Sequence, residues 1–207
     1  MHPSNYCVLN STKKEVVESS IDIIKYHYNL LEKLGITNKL IILHVGSSVL
    51  GKKNSLTRFI NNFNKLPTYL KKIIAIENDD KVFNIEDCLY LSKVLDIPVV
   101  LDYHHFNCNK PNKDIELYLK KIINSWNGKR VKMHFSSPKS KREYRSHSDY
   151  INSDDFIKFL NIISKYDKDI DIMIEAKAKD EALFRLIREL KYKTNYKFLN
   201  ETNFEVS

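Results

Sequence analysis

Short, mostly apolar segments alternate along this chain with amphipathic stretches long enough for helices, and that alternation limits the fold more than any other feature. The spacing predicts strands at residues 40–44, 73–77, 98–102, 131–135 and 170–175. It predicts helices at residues 12–34, 55–65, 85–95, 114–126, 154–165 and 181–190. The first helix is expected to open on a capping box, Thr12-x-x-Glu15, and to stop at Gly35. Its apolar positions Val16, Val17, Ile21, Ile24, Leu30, Leu31 and Leu34 share one broad face. Residues 1–10 read as the end of a further buried strand, with Tyr6, Cys7, Val8 and Leu9 apolar and Met1 inside that strand. Strands apolar on both faces belong in a parallel sheet covered by helices, so the class is α/β. A doubly wound sheet and a TIM (β/α) barrel both satisfy this pattern.

Composition narrows the class without naming an activity. The chain has 207 residues, 43% hydrophobic and 11% aromatic, enough for one domain with a sizeable core and too apolar for disorder. With 4 glycines and 5 prolines there is no flexible linker, so residues 1–207 are expected to form a single domain. Apolar runs are strand-sized, far short of the ~18 residues of a bilayer span, so no membrane is expected as a partner. Cys7, Cys88 and Cys108 are odd in number, widely spaced and without a CxxC pair. An intracellular setting is expected, whether cytoplasm or nucleoid, a viral factory, or a nucleus. The net charge of +8 favours a polyanionic partner such as nucleic acid. Neither GxGxxG nor a Walker motif occurs, so no nucleotide cofactor is expected.

The strand ends decide between the two architectures. In order they carry His2, His44, Glu77, Asp102 with His105, Lys132 with His134, and Glu175, and His147 lies in the loop that follows residues 131–135. Imidazoles and carboxylates are the usual ligands of divalent transition metals. A single histidine at a strand end is ordinarily a hydrogen-bonded core residue, and Glu77 or Asp102 alone could merely cap a helix. Successive strands all ending in such residues need another cause, because buried carboxylates and imidazoles are costly unless cations or partners compensate them. A barrel brings its C-terminal strand ends together on one axis, whereas a doubly wound sheet has one switch point. The TIM barrel is therefore favoured. Lys132 and His134 are two apart and share a strand face, as do Glu175 and Lys177. A lysine in such a site serves either as a counter-charge or, once carboxylated, as a ligand, and the residues leave both open.

These segments, taken in order, resemble the UV-damage endonucleases, whose fold is a TIM barrel related to endonuclease IV and xylose isomerase. His2-Pro3-Ser4-Asn5-Tyr6 with Val8-Leu9-Asn10-Ser11 is similar to that family's HPGQYxVLNS. His44-Val45-Gly46 with Gly51 and Lys53, Glu77-Asn78-Asp79-Asp80, and Asp102 with His105 resemble its HVGG, ENDD and D-x-x-H stretches. Lys132-Met133-His134-Phe135-Ser136-Ser137, His147 with Asp149-Tyr150, and Glu175-Ala176-Lys177 complete the series. The resemblance implies a metal-dependent DNA-repair endonuclease that cuts damaged double-stranded DNA 5′ to the lesion. It implies two or three divalent ions, manganese first and magnesium or zinc next, held by His2, His44, Glu77, Asp102, His105, His134, His147 and Glu175. It places Lys132, His134 and Glu175 as catalytic residues, Lys132 being the family's near-metal lysine, often regarded as modified. Asn5 and Tyr6 correspond to a pair that wedges into the duplex, and Lys139, Lys141, Arg142 and Arg145 form a basic loop placed for phosphates.

Ser4-Asn5 stands where the family has Gly-Gln, which is expected to alter lesion preference and leave hydrolysis intact. A typical barrel needs about 250 residues, and the first two or so strand–helix units have no counterpart here. The barrel is therefore expected to be incomplete, with exposed strand edges. Two other functions remain open from sequence: a sugar isomerase or epimerase on the same barrel, and an inactive DNA-binding fragment.

Overall fold

The computed structural model describes residues 1–4 and 6–206. Its centre is a parallel sheet of β1 (Ile41–His44), β2 (Ile74–Glu77), β3 (Val99–Asp102), β4 (Val131–Phe135) and β5 (Ile170–Ile174), hydrogen-bonded in that order. Between and after the strands run α1 (Lys14–Lys33, before β1), α2 (Lys52–Asn64), α3 (Thr68–Lys71), α4 (Ile85–Leu95), α5 (Tyr103–Cys108), α6 (Glu116–Asn124), α7 (Ser153–Ile163) and α8 (Lys179–Lys193). β1, β2 and β3 are buried along nearly their whole length, and their sequences, IILH, IAIE and VVLD, are accordingly apolar on both faces up to the last residue. The helices close the outer side with large side chains: Phe135 of β4 meets Phe156 of α7 edge-on at 4.9 Å, and the buried Trp126 indole donates to the Val99 carbonyl at 2.9 Å. Ionisable side chains at the two ends of the sheet, His44 of β1 and Glu175 after β5, converge on one cluster. The sheet is therefore curved, as part of a (β/α) barrel wall.

Register selects which residues face the hollow side. His44 pairs with Glu77, Glu77 with Val100, Asp102 with His134, and His134 with Met173. Cross-strand partners share a face and residues two apart do too. One face thus carries His44, Glu77, Asp102, Lys132, His134, Asp171, Met173 and Glu175.

Several expectations need correction. Thr12 and Glu15 form no capping box: α1 starts at Lys14, with Lys13 at the N-cap and no side-chain cap bond. Among the described residues 1–4 and 6–10 no strand forms. Met1 alone pairs with β1, donating to the Leu40 carbonyl at 2.7 Å and accepting from the Ile42 amide at 2.9 Å. Pro3 then removes the donor a ladder would need, the chain turns, and Tyr6 is 83% exposed. The helix expected from residue 55 begins at Lys52, after Gly51 at the N-cap with φ 88°, since its exposed first turn carries no apolar signal. The helix expected over 114–126 is shorter, at Glu116–Asn124. A short α5 replaces the loop expected after Asp102, and a hairpin of β6 (Lys197–Phe198) and β7 (Phe204–Glu205) follows the last helix. Among the described residues no helix is long and apolar enough to cross a membrane.

Candidate metal centre

Glu77, at the end of β2 and fully buried, organises the cluster by offering its two oxygens to two different sets of imidazoles. Oε2 lies 2.7 Å from His2 Nε2 and 3.8 Å from His44 Nε2. Oε1 lies 3.0 Å from His134 Nδ1 and 3.8 Å from His105 Nδ1. His134 Nδ1 is also 3.2 Å from Glu175 Oε1, and Glu175 Oε2 is 3.8 Å from His147 Nδ1. Asp102 Oδ2 is 3.5 Å from His105 Nδ1. Two overlapping groups have ligand atoms within 4.8 Å of one another: His2, His44 and Glu77, and Glu77, Asp102, His134 and Glu175. All eight residues expected as ligands therefore meet in one place, with Glu77 common to both groups.

The surrounding chain fixes their orientations. Asp102 ends β3 and caps α5, its Oδ1 accepting from the His105 amide at 2.7 Å, which sets His105 one helical turn away. Asn78 locks β2 to β3 through a two-way amide clasp with the backbone of Asp102 (2.9 and 3.0 Å). Its carbonyl takes Nδ1–H of His105 at 3.1 Å, leaving Nε2 of that ring as the lone-pair nitrogen. Likewise the Pro3 carbonyl, 3.0 Å from His2 Nδ1, turns His2 Nε2 toward Glu77. After His44 the chain passes so close to residues 8–10 that only glycine fits: a Cβ on Gly46 would lie 2.7 Å from Asn10 Oδ1, at φ 106°. By contrast His27 bonds the Ile23 carbonyl within its own helix and has a structural role.

Without a cation, protons hold the carboxylates together. Burial opposes the ionisation of Glu77, but hydrogen bonds from His134 and His2 outweigh it and hold the carboxyl well below its usual range. Burial likewise opposes a charge on His134, yet its bonds to Glu175 and Glu77 push it up to about 10. His2 is raised in the same way, against its own desolvation, by Glu77. Burial dominates at His44 and His147, which are lowered, and at Asp102, which is pushed up to about 7. The donor set suits divalent cations: Asp102 Oδ2 and His44 Nδ1 are buried without any hydrogen-bond partner, and the His134 proton sits between two carboxylates where a cation could stand.

The remaining expected residues lie around this centre. Lys132 shares the face of His134, but its ammonium bonds Asp171 of β5, a partner the sequence reading missed. The basic loop is a clasped hairpin, with Lys139 N–H on the Ser146 carbonyl at 2.7 Å and Ser148 N–H on the Ser137 carbonyl at 2.8 Å, which delivers His147 to Glu175. Lys139 pairs with Glu143 at 2.8 Å and Arg145 with Asp80 at 3.8 Å, whereas Lys141 and Arg142 are exposed and unpaired among the described residues. Tyr6 projects into solvent, and Asn5 lies outside the described residues. Sequence reasoning assigned no role to Asn78, Asn10 or His104. His104 is buried on α5, with Nε2 3.4 Å from the Arg145 carbonyl, so it anchors the basic loop. The HH doublet carried no signal to tell it from His105.

The UV-endonuclease UvdE family matches the chain over residues 1–205. A UV DNA damage endonuclease of Bacillus velezensis is 40% identical over 194 residues, covering 91% of this chain and 60% of that protein. The crystal structure of SacUVDE is similar with a TM-score of 0.85 at 39% identity, over 93% of this chain and 64% of that one. A D-psicose 3-epimerase from Clostridium cellulolyticum H10 shares the barrel fold, with a TM-score of 0.55 at 14% identity over 87% of this chain and 67% of that one. The chain thus spans about 60% of the length of the curated relative.

Proposed function

The chain belongs to the UV-endonuclease UvdE family, and on that premise we propose that it is a divalent-metal-dependent DNA-repair endonuclease that hydrolyses a phosphodiester 5′ to a UV-damaged base in duplex DNA. The observation that carries the reading is the placement of Glu77, one carboxylate serving two adjacent ligand groups, as two-metal phosphodiester hydrolysis requires. The bound ions, manganese foremost, would activate a water and hold the attacking and leaving oxygens of an in-line displacement.

The chain's own residues do the rest. His2, His44 and Glu77 would hold one ion, and Glu77, Asp102, His134 and Glu175 the other, with His105 and His147 beside them. On loading, His134 would give up the proton it shares with Glu77 and Glu175, leaving both carboxylates to hold the cation. Lys132, tied to Asp171, supplies fixed positive charge on the inner face. Lys141 and Arg142, free of carboxylates among the described residues, contact phosphates and set the register of the duplex, with Lys139 and Arg145 at the loop's ends. Tyr6, with Asn5 next to it in the sequence, stacks where damage has weakened the base stack.

The test is nicking of UV-irradiated against untreated supercoiled plasmid, with manganese and then with chelator. Damage-dependent nicks that chelator removes are expected. Nicks that appear equally on untreated plasmid, or persist in chelator, overturn the reading. Damage-selective binding without nicking would reassign the chain as a binding fragment.

A further inference from the structure

The turn between β1 and α2 breaks a local rule close to the cluster. Ser48–Gly51 is a four-residue turn closed by the Gly51 amide on the Ser48 carbonyl at 2.9 Å. Its third residue, Leu50, has φ 65°, the left-handed conformation for which such turns use Gly or Asn. Leu50 gains no burial in exchange: it is 71% exposed, and Val49 beside it is 53% exposed. A lone exposed apolar side chain is ordinary. One held in a strained conformation by a clasp of several hydrogen bonds is not.

The clasp comes from two sides. Arg58 donates through Nη2 to the Val49 carbonyl at 2.5 Å and to the Ser55 hydroxyl at 2.9 Å, and through Nε to the Asn10 carbonyl at 2.8 Å. The buried Ser55 hydroxyl reaches the Val49 and Gly51 carbonyls at 3.2 and 3.0 Å. Asn10, fully buried, grips both backbone groups of Ser47, at 2.7 and 2.8 Å. Asn10 closes the same loop that projects Tyr6, and Ser47 lies three residues beyond His44. One hydrogen-bonded unit therefore presents two exposed side chains, Tyr6 and Leu50, on the chain segments that lead out from His2 and His44.

We propose that Leu50, supported by Val49, is a second probe, an apolar wedge that enters duplex DNA at a damaged step together with Tyr6. This rests on the nuclease reading above. Aliphatic wedges partly unstack base steps, and unstacking costs least where a base is damaged. The left-handed turn directs the side chain outward, and the clasp keeps it from folding back.

The test uses the full chain with manganese, and a duplex bearing one UV lesion beside 2-aminopurine, whose fluorescence rises on unstacking. The Leu50→Gly variant, which relaxes the turn, is expected to melt higher than the parent and to keep its manganese-induced stabilisation. It is expected to bind the lesion duplex about tenfold more weakly or worse and to lose the fluorescence rise. Leu50→Phe is expected to restore both, and the Leu50→Gly deficit to shrink on single-stranded DNA with the same lesion. Parental binding and fluorescence in Leu50→Gly would overturn the inference and leave the nuclease reading standing. So would a fall in melting temperature that accounts for the binding loss, since Leu50 would then be a packing residue. Absence of lesion-dependent binding by the parent chain would overturn both.

Discussion

Exchanging Asp102 for Asn should stabilise the metal-free protein and weaken its response to metal. Asp102 is fully buried, with Oδ1 bonded to the His105 amide and Oδ2 without a hydrogen-bond partner. Burial pushes the carboxyl from 3.8 up to about 7. At ~1.4 kcal/mol per pK unit, a shift of about 3 units sets a ceiling of roughly 4 kcal/mol on what this group costs the metal-free fold. The sign follows from proton counting. Between those two pH values the native form keeps a proton that the unfolded chain has released, so stability falls as pH rises through the window and levels off above about 7. Asn keeps the acceptor for His105 and abolishes the titration. In chelator, urea melts should show D102N and the parent alike near pH 4, with D102N more stable by up to roughly 4 kcal/mol at pH 8. In manganese at about a hundred times its Kd the parent should gain about 2.7 kcal/mol and D102N clearly less, so the lead of D102N at pH 8 should shrink. A D102N variant less stable than the parent in chelator at pH 8, or one gaining as much from manganese, would refute the reasoning.

His134→Ala leaves Glu77 and Glu175 facing each other without a proton or an imidazole, and should abolish manganese-dependent nicking while lesion binding persists in a filter assay. Because His134 is pushed up to about 10 and is protonated at neutral pH without metal, manganese affinity measured by calorimetry should rise about tenfold per pH unit from 7 to 9, and more steeply below 7, where Asp102 must ionise too. A flat profile would contradict the proton-held site. Lys141→Ala with Arg142→Ala should weaken binding to all duplexes and make the salt dependence shallower by about 0.9 per contact in log–log slope; an unchanged slope would remove this loop from the DNA face. Gly46→Ala forces a Cβ to 2.7 Å from Asn10 Oδ1 at φ 106°, and should lower Tm by several degrees on the scale of ~2–4 °C per kcal/mol for a domain this size.

The fold class and the meeting of the strand-end histidines and carboxylates were legible because both depend on period and position. Strands apolar on both faces announced a parallel sheet, and a polar residue ending each one was conspicuous against that background. Residues whose role is to hold others left no comparable trace. Asn78 sits in the same quoted segment as Glu77, yet its clasp on Asp102 exists only once β2 and β3 are side by side. Asp171 looks like any strand-end charge until register sets it beside Lys132. Residues 1–10 misled because their apolar side chains were read as a strand, while Pro3 had already removed the donor that a strand would need. Thr12 and Glu15 have the spacing of a capping box, but the helix begins one residue later, with Lys13 at its N-cap.

The cross-strand register of the sheet has a kinetic consequence. The cluster draws on residues from His2 to Glu175 and on every strand of the parallel sheet, so its ligand atoms come together only after the most sequence-distant pairings have formed. A cation that binds only this finished arrangement stabilises the native state without stabilising the folding transition state. Manganese should therefore leave the refolding rate of the chain nearly untouched and act almost wholly on the unfolding limb, making the loaded protein slow to come apart while it is no quicker to assemble.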